Sequence, residues 1–368
     1  SVVMITGGKG TGKSTSARYI ANSLLGEGNA PVYFLDADVG QSEVNPPGCV
    51  SLFRVESPML GVPFCNQRRT LTHSFFFGDV SPSAGIEHCS RLVTKLYERF
   101  KSEAFPGSVL IVNTPGWVES RLLFDYIQFI VKSNLPGCPQ HLKLDGEGME
   151  MLEETEGAVV INHFFNLPAT SATSVPFTLT PAAIRNLLIL GYMAPLCPTP
   201  SLGSLGDAAP YAVPFGRIAV NLNPGLGSVP DTHLLAVLNC AFVALCSVRW
   251  EEDHIKGRRH VLNDEDMPGI IEGEDVVLRC VGFGFIRAID LNERLFYVLT
   301  PVAEEVLPEV NVFAKGVNID LPSVFFTQRI SAEAPYVLAD NKGPASDMYS
   351  ELALISCHKR AQSNRRRI

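Results

Sequence analysis

The first half of the chain alternates short apolar runs with segments of helical periodicity. The apolar run Val2–Thr6 predicts a strand, and apolar residues at helical spacing within Ser14–Leu25 predict a helix that ends before Gly26. Further strands are predicted at 32–35, 74–77, 109–112 and 158–161, and further helices at 81–101 and 119–132. This alternation indicates a doubly wound α/β fold, in which a parallel sheet is covered by helices on both faces.

The second half of the chain is richer in strand patterns. The segment Pro195–Pro214, with five prolines among glycine and serine, predicts an extended linker between the two halves. Strands are predicted after it at 218–222, 276–281, 282–286 and 295–299. We therefore predict a first domain over 1–200, a linker over 201–216, a smaller mixed α/β domain over 217–357 and a basic tail over 358–368.

Composition excludes an intrinsically disordered protein. Of the 368 residues, 46% are apolar and 18% are charged, which is enough apolar material for a full core. The net charge of −8 argues against a surface coated with basic residues. The segment Asp145–Glu156 contains six acidic residues and no basic residue, which predicts a solvated acidic loop. Because most of the net charge lies in that loop, the average charge says little about a local groove for nucleic acid.

Cysteine and histidine spacing argues against two common kinds of site. The chain has nine cysteines but no C-x-x-C pair and no H-x-x-x-H pair, which disfavours a disulfide framework or structural zinc and favours a reducing compartment. The apolar stretch Thr232–Val248 is shorter than the roughly 18–20 apolar residues of a membrane span, so it predicts a buried element and no membrane association. Since the chain begins with Ser1 and not Met, and a strand pattern starts at Val2, we expect that a natural segment upstream has been removed.

One glycine-rich segment matches the phosphate-binding pattern G-x-x-x-x-G-K-[ST] in full. It follows a predicted strand and precedes a predicted helix, which is the context that this loop requires. Lys13 is expected to reach the β- and γ-phosphates of ATP, and the Ser14 hydroxyl is expected to bind Mg²⁺. The expected nucleotide-binding residues are Gly7, Gly8, Lys9, Gly10, Thr11, Gly12, Lys13, Ser14 and Thr15. The motif predicts a P-loop phosphotransferase or NTPase.

A guanine-reading motif of the form N/T-K-x-D is absent from the sequence. The Asn-Lys pair at Asn341-Lys342 is followed by Gly343-Pro344 and does not match. This argues against a GTPase.

Two acidic residues follow the second predicted strand. Asp36 and Asp38 are two positions apart, and therefore on the same side of an extended chain, at the strand end where doubly wound sheets bind their ligands. Two carboxylates that face a bound triphosphate have two natural roles. One is a direct or indirect partner for Mg²⁺, and the other is a base for the attacking hydroxyl.

The strand predicted at 109–112 ends in Asn113-Thr114-Pro115-Gly116-Trp117. Asn113 and Thr114 are expected beside the phosphates, because this strand end reaches the same edge of the sheet. Trp117 follows a Pro-Gly turn, so it is a candidate platform on which a nucleic-acid base stacks. The alternative for Trp117 is an ordinary core tryptophan.

Several stretches together resemble the polynucleotide 5′-hydroxyl kinases of the pre-ribosomal-RNA-processing branch. These are nucleolar relatives of the RNA kinase subunit of the mRNA 3′-end cleavage factor. The stretches in the first half are 7–15, 36–41 with 46–48, 76–82 and 113–117, and those in the second half are 229–233 and 282–290. The resemblance extends from Val2 to about residue 345.

This resemblance implies a P-loop NTPase fold and ATP-dependent phosphorylation of the 5′-hydroxyl end of RNA. By its motifs, Asp38 is the general base and Asp36 is the neighbouring acid that helps to hold Mg²⁺. Lys13 and Arg185 complete the catalytic set, with Arg185 on a lid that closes over ATP. The residues matched to substrate binding are Gln41, Thr114, Gly116 and Trp117.

The resemblance also implies a biological setting. It implies pre-rRNA processing, notably of internal transcribed spacer 2 of the large ribosomal subunit, in the nucleus and nucleolus. It implies a partner endonuclease and an N-terminal domain that this chain lacks. Two alternative functions stay open: a nucleotide-binding scaffold that controls a partner endonuclease, and a kinase of nucleosides or other small molecules.

Overall fold

The computed structural model divides the chain into two compact units. The first is Ser1–Leu188 with Val277–Cys280, and the second is Ile189–Val276 with Val281–Ile368. The residues that it describes are 1–28, 30–67, 73–116, 179–197, 205, 208–249, 266–271, 273 and 276–325, with the backbone alone for 139–144, 164–166, 258–260 and 326–327. The acidic loop 145–156, Trp117 and the basic tail 358–368 lie outside the described residues. The domain limits at 200 and 216 stay predictions.

The first unit is an α/β unit. Its strands are β1 (Val2–Gly7), β2 (Val32–Asp36), β3 (Cys49–Arg54), β4 (His73–Phe76), β5 (Val109–Asn113), β6 (Pro139–Leu144) and β7 (Phe164–Asn166). Its helices are α1 (Lys13–Glu27), α2 (Ile86–Glu103) and the first part of α3 (Pro181–Met193).

Most elements predicted in this unit are confirmed. The strands predicted at 2–6, 32–35, 74–77 and 109–112 correspond to β1, β2, β4 and β5. The helix predicted at 14–25 is α1, and the one predicted at 81–101 starts as a short 3-10 turn, Pro82–Ala84, before α2 begins. The helix predicted at 119–132 and the strand predicted at 158–161 fall outside the described residues.

The strands of the first unit lie in the order β4-β3-β2-β5-β1-β6-β7. β1 pairs in parallel with β5 and β6, and β2 pairs in parallel with β5, with Asp36 opposite Asn113. The carboxyl ends of β1, β2 and β5 therefore meet at one edge of the sheet, which is where a doubly wound fold binds its ligand.

Helices cover this sheet on both faces, as the sequence predicts. Val3 and Ile5 of β1 pack with Ala17 and Ala21 of α1. Side chains that alternate with them, among them Met4, pack in a second cluster with residues of α2. Successive side chains of a strand point to opposite faces, so one buried strand supplies both cores. Burial of each such large apolar side chain stabilises the fold by about 1.5–3 kcal/mol.

Three strands of this unit, β3, β6 and β7, were not predicted. β3 pairs antiparallel with both β2 and β4, and Leu278 and Arg279 extend the sheet beyond β4. The parallel core therefore carries an antiparallel extension, which is common in doubly wound sheets.

The second unit is strand-rich, as predicted. Its strands are β8 (Tyr211–Pro214), β9 (Ala219–Leu222), β10 (Phe242–Ser247), β11 (Arg258–His260), β12 (Gly269–Ile271), β13 (Leu278–Asp290, shared with the first unit), β14 (Leu295–Leu299) and β15 (Val312–Lys315). Its helices are the end of α3, α4 (Asp231–Leu238) and α5 (Val324–Thr327).

Three details of the second unit refine the sequence predictions. The strands predicted at 276–281 and 282–286 form one strand, β13. The apolar stretch 232–248 forms most of α4 together with β10, and no helix among the described residues is long and apolar enough to cross a membrane. The segment predicted as a linker at 201–216 contains β8, which pairs antiparallel with β14.

Candidate active site

The glycine-rich loop connects β1 to α1 in a backbone conformation that requires glycine. Gly10 has a φ of +78° and Gly12 has a φ of +97°, both in the left-handed region that side chains disfavour. Gly12 caps α1, and its carbonyl oxygen accepts a hydrogen bond of 2.8 Å from the Ser16 N–H. The N-terminus of α1, with the positive end of the helix dipole, therefore lies at the loop, as in a phosphate-binding site.

Lys13 turns back over the loop. Its side chain is 7% exposed, and Nζ donates a hydrogen bond of 2.7 Å to the carbonyl oxygen of Gly8. The turn at Gly116 approaches the same place, because a Cβ on Gly116 would lie 3.0 Å from Lys9 Cα and 3.3 Å from Lys13 Nζ. Glycine at 116 thus allows the turn after β5 to close against the P-loop.

A cavity of about 370 Å³ opens at this edge of the sheet, within the size range of small-molecule sites. Cationic, acidic and hydroxyl side chains line it together, among them Lys9, Lys13, Ser14, Asp38, Gln41 and Arg185. The structure thereby brings together residues from three separate segments, and every one of these six was singled out from the sequence.

Asp36 lies behind the cavity wall and is almost fully buried. Oδ2 accepts hydrogen bonds from Ser42 Oγ at 2.8 Å and from the Glu43 N–H at 2.7 Å. Oδ1 accepts hydrogen bonds from Asn113 Nδ2 at 3.1 Å and from the Asp38 N–H at 3.4 Å. Burial raises the pKa of Asp36 to about 6, although these hydrogen bonds oppose the shift.

Asp38 lines the cavity. Its Oδ1 atom accepts hydrogen bonds of 3.0 Å from the N–H groups of Gly40 and Gln41. Burial raises the pKa of Asp38, while these hydrogen bonds and the charges of Lys13 and Lys9 act in the opposite direction. Asp38 is therefore the acid of the pair that reaches the cavity.

Arg185 reaches the cavity from α3, where it is half-buried. Burial lowers the pKa of its guanidinium, and the carboxylates of Asp79 and Asp38 oppose that shift. Arg185 is thus close enough to interact with the charges of Asp79 and Asp38, and it lines the cavity together with residues of the P-loop.

Sequence reasoning missed part of the cavity wall. Val80, Ser81 and Pro82 line the cavity, and the Ser81 N–H donates a hydrogen bond of 2.9 Å to Asp79 Oδ1. This segment lies within 76–82, a stretch that carried the family resemblance without being assigned a role. That resemblance was the available signal.

Glu43 is a second residue that sequence reasoning missed. Its carboxyl group is fully buried beside Asp36, Ser14 and Arg18, with Arg18 Nε 3.6 Å from Oε2. Burial and the neighbouring Asp36 carboxylate raise the pKa of Glu43 to about 8, against the opposing effects of Arg18 and Ser14. Nothing in the local sequence marks it, since an isolated Glu after Gln41-Ser42 reads as a loop residue.

Thr114 is a predicted substrate residue that the structure places away from the cavity surface. Its side chain is fully buried, and Oγ1 donates a hydrogen bond of 2.8 Å to the Ile5 carbonyl oxygen. This bond ties the end of β5 to β1. Contact between Thr114 and a substrate therefore stays a prediction, as does the stacking role of Trp117, which lies outside the described residues.

A parallel sheet with a P-loop after its first strand, and with acids at the end of the neighbouring strand, defines a P-loop nucleotide-binding protein. The family described as mRNA cleavage and polyadenylation factor CLP1 P-loop matches residues 7–192, and the family described as NOL9-like, C-terminal domain, matches residues 206–321. The chain belongs to the CLP1 P-loop family, in the branch that also carries the NOL9-like C-terminal domain. The resemblance drawn from the motifs is thereby confirmed.

Curated relatives carry one common name. Polynucleotide 5′-hydroxyl-kinase nol-9 of Caenorhabditis elegans is 34% identical over 94% of this chain and 63% of its own length. Polynucleotide 5′-hydroxyl-kinase NOL9 of Homo sapiens is 30% identical over 92% of this chain and 52% of its own length. The relative of the same name from Arabidopsis thaliana is 26% identical over 92% of this chain and 90% of its own length. The chain thus spans less than two thirds of the length of the Caenorhabditis elegans and human relatives.

Solved structures of Clp1p in complex with Pcf11p share the fold. Two of them match with a TM-score of 0.57, at 18% and 16% identity, over 85% of this chain and 74% and 73% of theirs. The predicted class, a P-loop NTPase α/β fold, is confirmed.

Proposed function

We propose that the chain transfers the γ-phosphoryl group of ATP to the 5′-hydroxyl end of RNA. The observation that carries the proposal is the convergence of Lys13, Asp38 and Arg185 on one cavity. A phosphoryl transfer of this kind needs a cation on the phosphates, a base at the hydroxyl and a further positive charge on the transferred group. The printed names of the relatives describe the same activity for those proteins.

The P-loop holds the phosphates of ATP in this proposal. Backbone N–H groups of the loop from Gly8 to Gly12 and the start of α1 surround the β-phosphate. Lys13, whose Nζ lies over the loop in a hydrogen bond to Gly8, is the cation that would contact the β- and γ-phosphates. Lys9 lines the same cavity and adds a second positive charge.

The donor set of the site fits Mg²⁺, which prefers oxygen ligands and binds through few protein groups together with phosphate oxygens. Ser14 presents a hydroxyl to the cavity, and Asp36 and Asp38 stand at the adjoining strand end. We assign Ser14 as the direct ligand of Mg²⁺. Asp36 is assigned as an indirect partner of the ion, because four hydrogen-bond donors already occupy the two carboxylate oxygens of Asp36. When bound, Mg²⁺ neutralises charge on the phosphates.

Asp38 accepts the proton of the attacking hydroxyl, and Arg185 stabilises the charge of the transferred group. The hydrogen bonds to Asp38 both fall on Oδ1, which holds the carboxyl group in one orientation at the cavity wall. Arg185 stands on α3 within the field of Asp38 and Asp79, and so faces the reacting centre. Preorganised charges of this kind lower the barrier without a cost of reorganisation.

The substrate end of the proposal rests on the family. Gln41 and Gly116 line the cavity, Thr114 precedes Gly116 by two positions, and Trp117 is the next residue in the sequence. We assign these residues to the 5′-terminal nucleotide, with Trp117 stacking on its base. Pre-rRNA is the proposed substrate, an endonuclease of pre-rRNA processing the proposed partner, and the nucleolus the proposed location.

The test is transfer of labelled γ-phosphate to a short 5′-hydroxyl RNA by purified protein, beside matched 5′-hydroxyl DNA, a 5′-phosphorylated RNA and free nucleosides. We expect labelling of the 5′-hydroxyl RNA and none of the 5′-phosphorylated RNA. Preference for nucleosides would favour a small-molecule kinase, and no labelling of any acceptor would favour a nucleotide-binding scaffold.

The matched variant is Asp38→Asn, which keeps the shape of the side chain and removes its basicity. We expect a loss of more than about tenfold in rate, which corresponds to about 1.4 kcal/mol of barrier. A smaller loss, with ATP affinity unchanged, would show that Asp38 is not the base.

A further inference from the structure

Glu43 lies in the segment 36–48 that joins the end of β2 to β3, called the acid-bearing loop, and it is close to the P-loop helix α1. It lies seven residues after Asp36, and its backbone N–H donates to Asp36 Oδ2 at 2.7 Å. Its side chain is 0% exposed, and its carboxyl group lies beside Ser14 and Arg18 of α1. Carboxylates are almost never fully buried without a partner that needs them.

The two buried carboxyl groups of this loop differ in their hydrogen bonds. Both oxygens of Asp36 already accept two hydrogen bonds each. Within the part of the chain that the structure describes, neither oxygen of Glu43 accepts a hydrogen bond of ordinary length, although the Ser14 side chain is near enough to lower its pKa. Glu43 is therefore the acid with free acceptor capacity next to the P-loop serine.

A serine that binds a cation needs an acceptor for its own proton. A hydroxyl has one O–H donor and two lone pairs, and the lone pairs face a bound cation only when the O–H points away from it. Groups behind a metal ligand commonly accept such a hydrogen bond, and their loss weakens metal binding by about 10–100-fold.

We propose that Glu43 is the positioning residue of the P-loop serine: its carboxyl group accepts the Ser14 hydroxyl proton and so turns the Ser14 oxygen toward Mg²⁺. This rests on the proposed function, in which Ser14 binds Mg²⁺, and adds a group outside the P-loop and outside the Asp36–Asp38 pair. Ser14 lies in the first turn of α1, on the side of the helix where Arg18 faces the Glu43 carboxyl group. Arg18, one turn further along α1, donates to the Ser14 carbonyl oxygen at 3.3 Å and keeps that turn in place.

The test separates binding of ATP from binding of the cation. The affinity of a fluorescent ATP analogue is measured by titration in Mg²⁺ and again in EDTA, and the ratio of the two affinities reports coupling between nucleotide and cation. The protein variants are the wild type, Glu43→Leu and Glu43→Gln. The control is Asn45→Leu, which removes another fully buried polar side chain of the same loop, one that donates to Ser51 Oγ instead.

We expect Glu43→Leu to lower the Mg²⁺/EDTA ratio about tenfold while affinity in EDTA changes less than about twofold. Glu43→Gln keeps one acceptor oxygen but has an NH2 donor in place of the other oxygen, so its ratio should fall between those of the leucine variant and the wild type. Asn45→Leu should lower thermal stability and leave the ratio within about twofold of the wild type.

Three results would overturn the proposal. They are a wild-type ratio in the Glu43→Leu protein, an equal loss of affinity in Mg²⁺ and in EDTA, and a fall in the Asn45→Leu ratio as large as that of Glu43→Leu. If Glu43→Leu does not fold, an unchanged ratio in Glu43→Gln decides against it. A wild-type protein whose ATP affinity ignores Mg²⁺ would instead refute the cation step of the proposed function.

Discussion

Asn113 and Asp36 end adjacent parallel strands, and the Asn113 side chain donates a hydrogen bond of 3.1 Å to Asp36 Oδ1. Both side chains are almost fully buried. The bond fixes the end of β2 to the end of β5. It also orients the Asp36 carboxyl group, which accepts hydrogen bonds from Ser42 and Glu43 of the acid-bearing loop. Asn113 therefore acts on the site through Asp36. The sequence pattern instead predicts a position for it beside the phosphates.

Replacing Asn113 by Ala should lower the free energy of unfolding by about 1–3 kcal/mol, because one donor to a buried carboxyl is lost. The measurement is urea unfolding at fixed pH. Asn113→Asp is the informative partner, because it would put a second acid beside Asp36 and should destabilise the fold more than Ala does at neutral pH. Equal stability of Asn113→Ala and wild type would contradict this role.

Replacing Lys13 by Met should reduce phosphoryl transfer by at least about 100-fold, the usual cost of removing a preorganised charge from a reacting centre. The methionine side chain keeps the length and the apolar stem of Lys13, although the hydrogen bond to Gly8 and the charge near Asp38 are lost. Thermal stability should therefore stay close to that of the wild type. A variant that retains a tenth or more of the wild-type rate in the RNA-labelling assay would exclude the predicted role of Lys13.

Local signals explain why the P-loop side of the site could be predicted. Glycines that need left-handed φ values, a strand before them and a helix after them all lie within a single stretch of sequence. Asp38 and Gln41 follow directly from the position of β2. These features depend on neighbours along the chain, and hence on patterns that the sequence displays.

Long-range packing explains what could not be predicted. The sequence 46–48, Pro-Pro-Gly, reads as a turn, and the short run after it gave no clear signal for β3, whose partners are β2 and β4. The number of hydrogen bonds that a buried carboxyl group accepts depends on donors from other strands and helices. Asp36 accepts four, whereas Glu43 can still accept further hydrogen bonds. Burial of that kind has no periodicity, so only a structure or a family resemblance reveals it.

Arg185 offers a test of the cavity as a whole. Arg185→Ala should lower the turnover rate at least about 100-fold. Arginines that stabilise a transferred phosphoryl group contribute about 10³–10⁵-fold in the best-known cases. Its effect on the KM for RNA should be small, because the residue faces the phosphates. The matched control is Arg99→Ala, an exposed arginine of α2 whose ion pair with Glu103 is weak at 4.0 Å. A turnover rate for Arg185→Ala within about threefold of that of Arg99→Ala would contradict the assignment.

Gly40 links the acid-bearing loop to the cavity wall around Val80. A Cβ at this position would lie 2.5 Å from the Val80 carbonyl oxygen, so one of the two segments would have to move. Gly40→Ala should therefore displace Asp38, whose Oδ1 accepts from the Gly40 N–H, and reduce phosphoryl transfer more than it reduces ATP affinity. Gly26→Ala is the control, since a Cβ there meets open space. Equal rates for the two variants would show that the loop adapts.

The pH dependence of stability reports on Glu43, whose pKa is raised from 4.5 to about 8 in the folded protein. Above pH 4.5 the unfolded chain releases this proton, while the folded chain holds it until about pH 8. The folded state therefore binds more protons within this window. As the pH rises through it, the contribution of Glu43 to the free energy of unfolding falls, and it becomes constant above about pH 8.

Glu43→Gln cannot titrate, so its free energy of unfolding minus that of the wild type should rise steadily from about pH 5 to about pH 8 and then level off. Urea unfolding at several pH values within this range measures the difference directly. Asn45→Leu is the control, because it changes the same buried loop without removing a titrating group, and its difference from the wild type should be independent of pH. A Glu43→Gln difference that is flat or falls with pH would mean that the buried carboxyl group is ionised in the folded protein throughout this range.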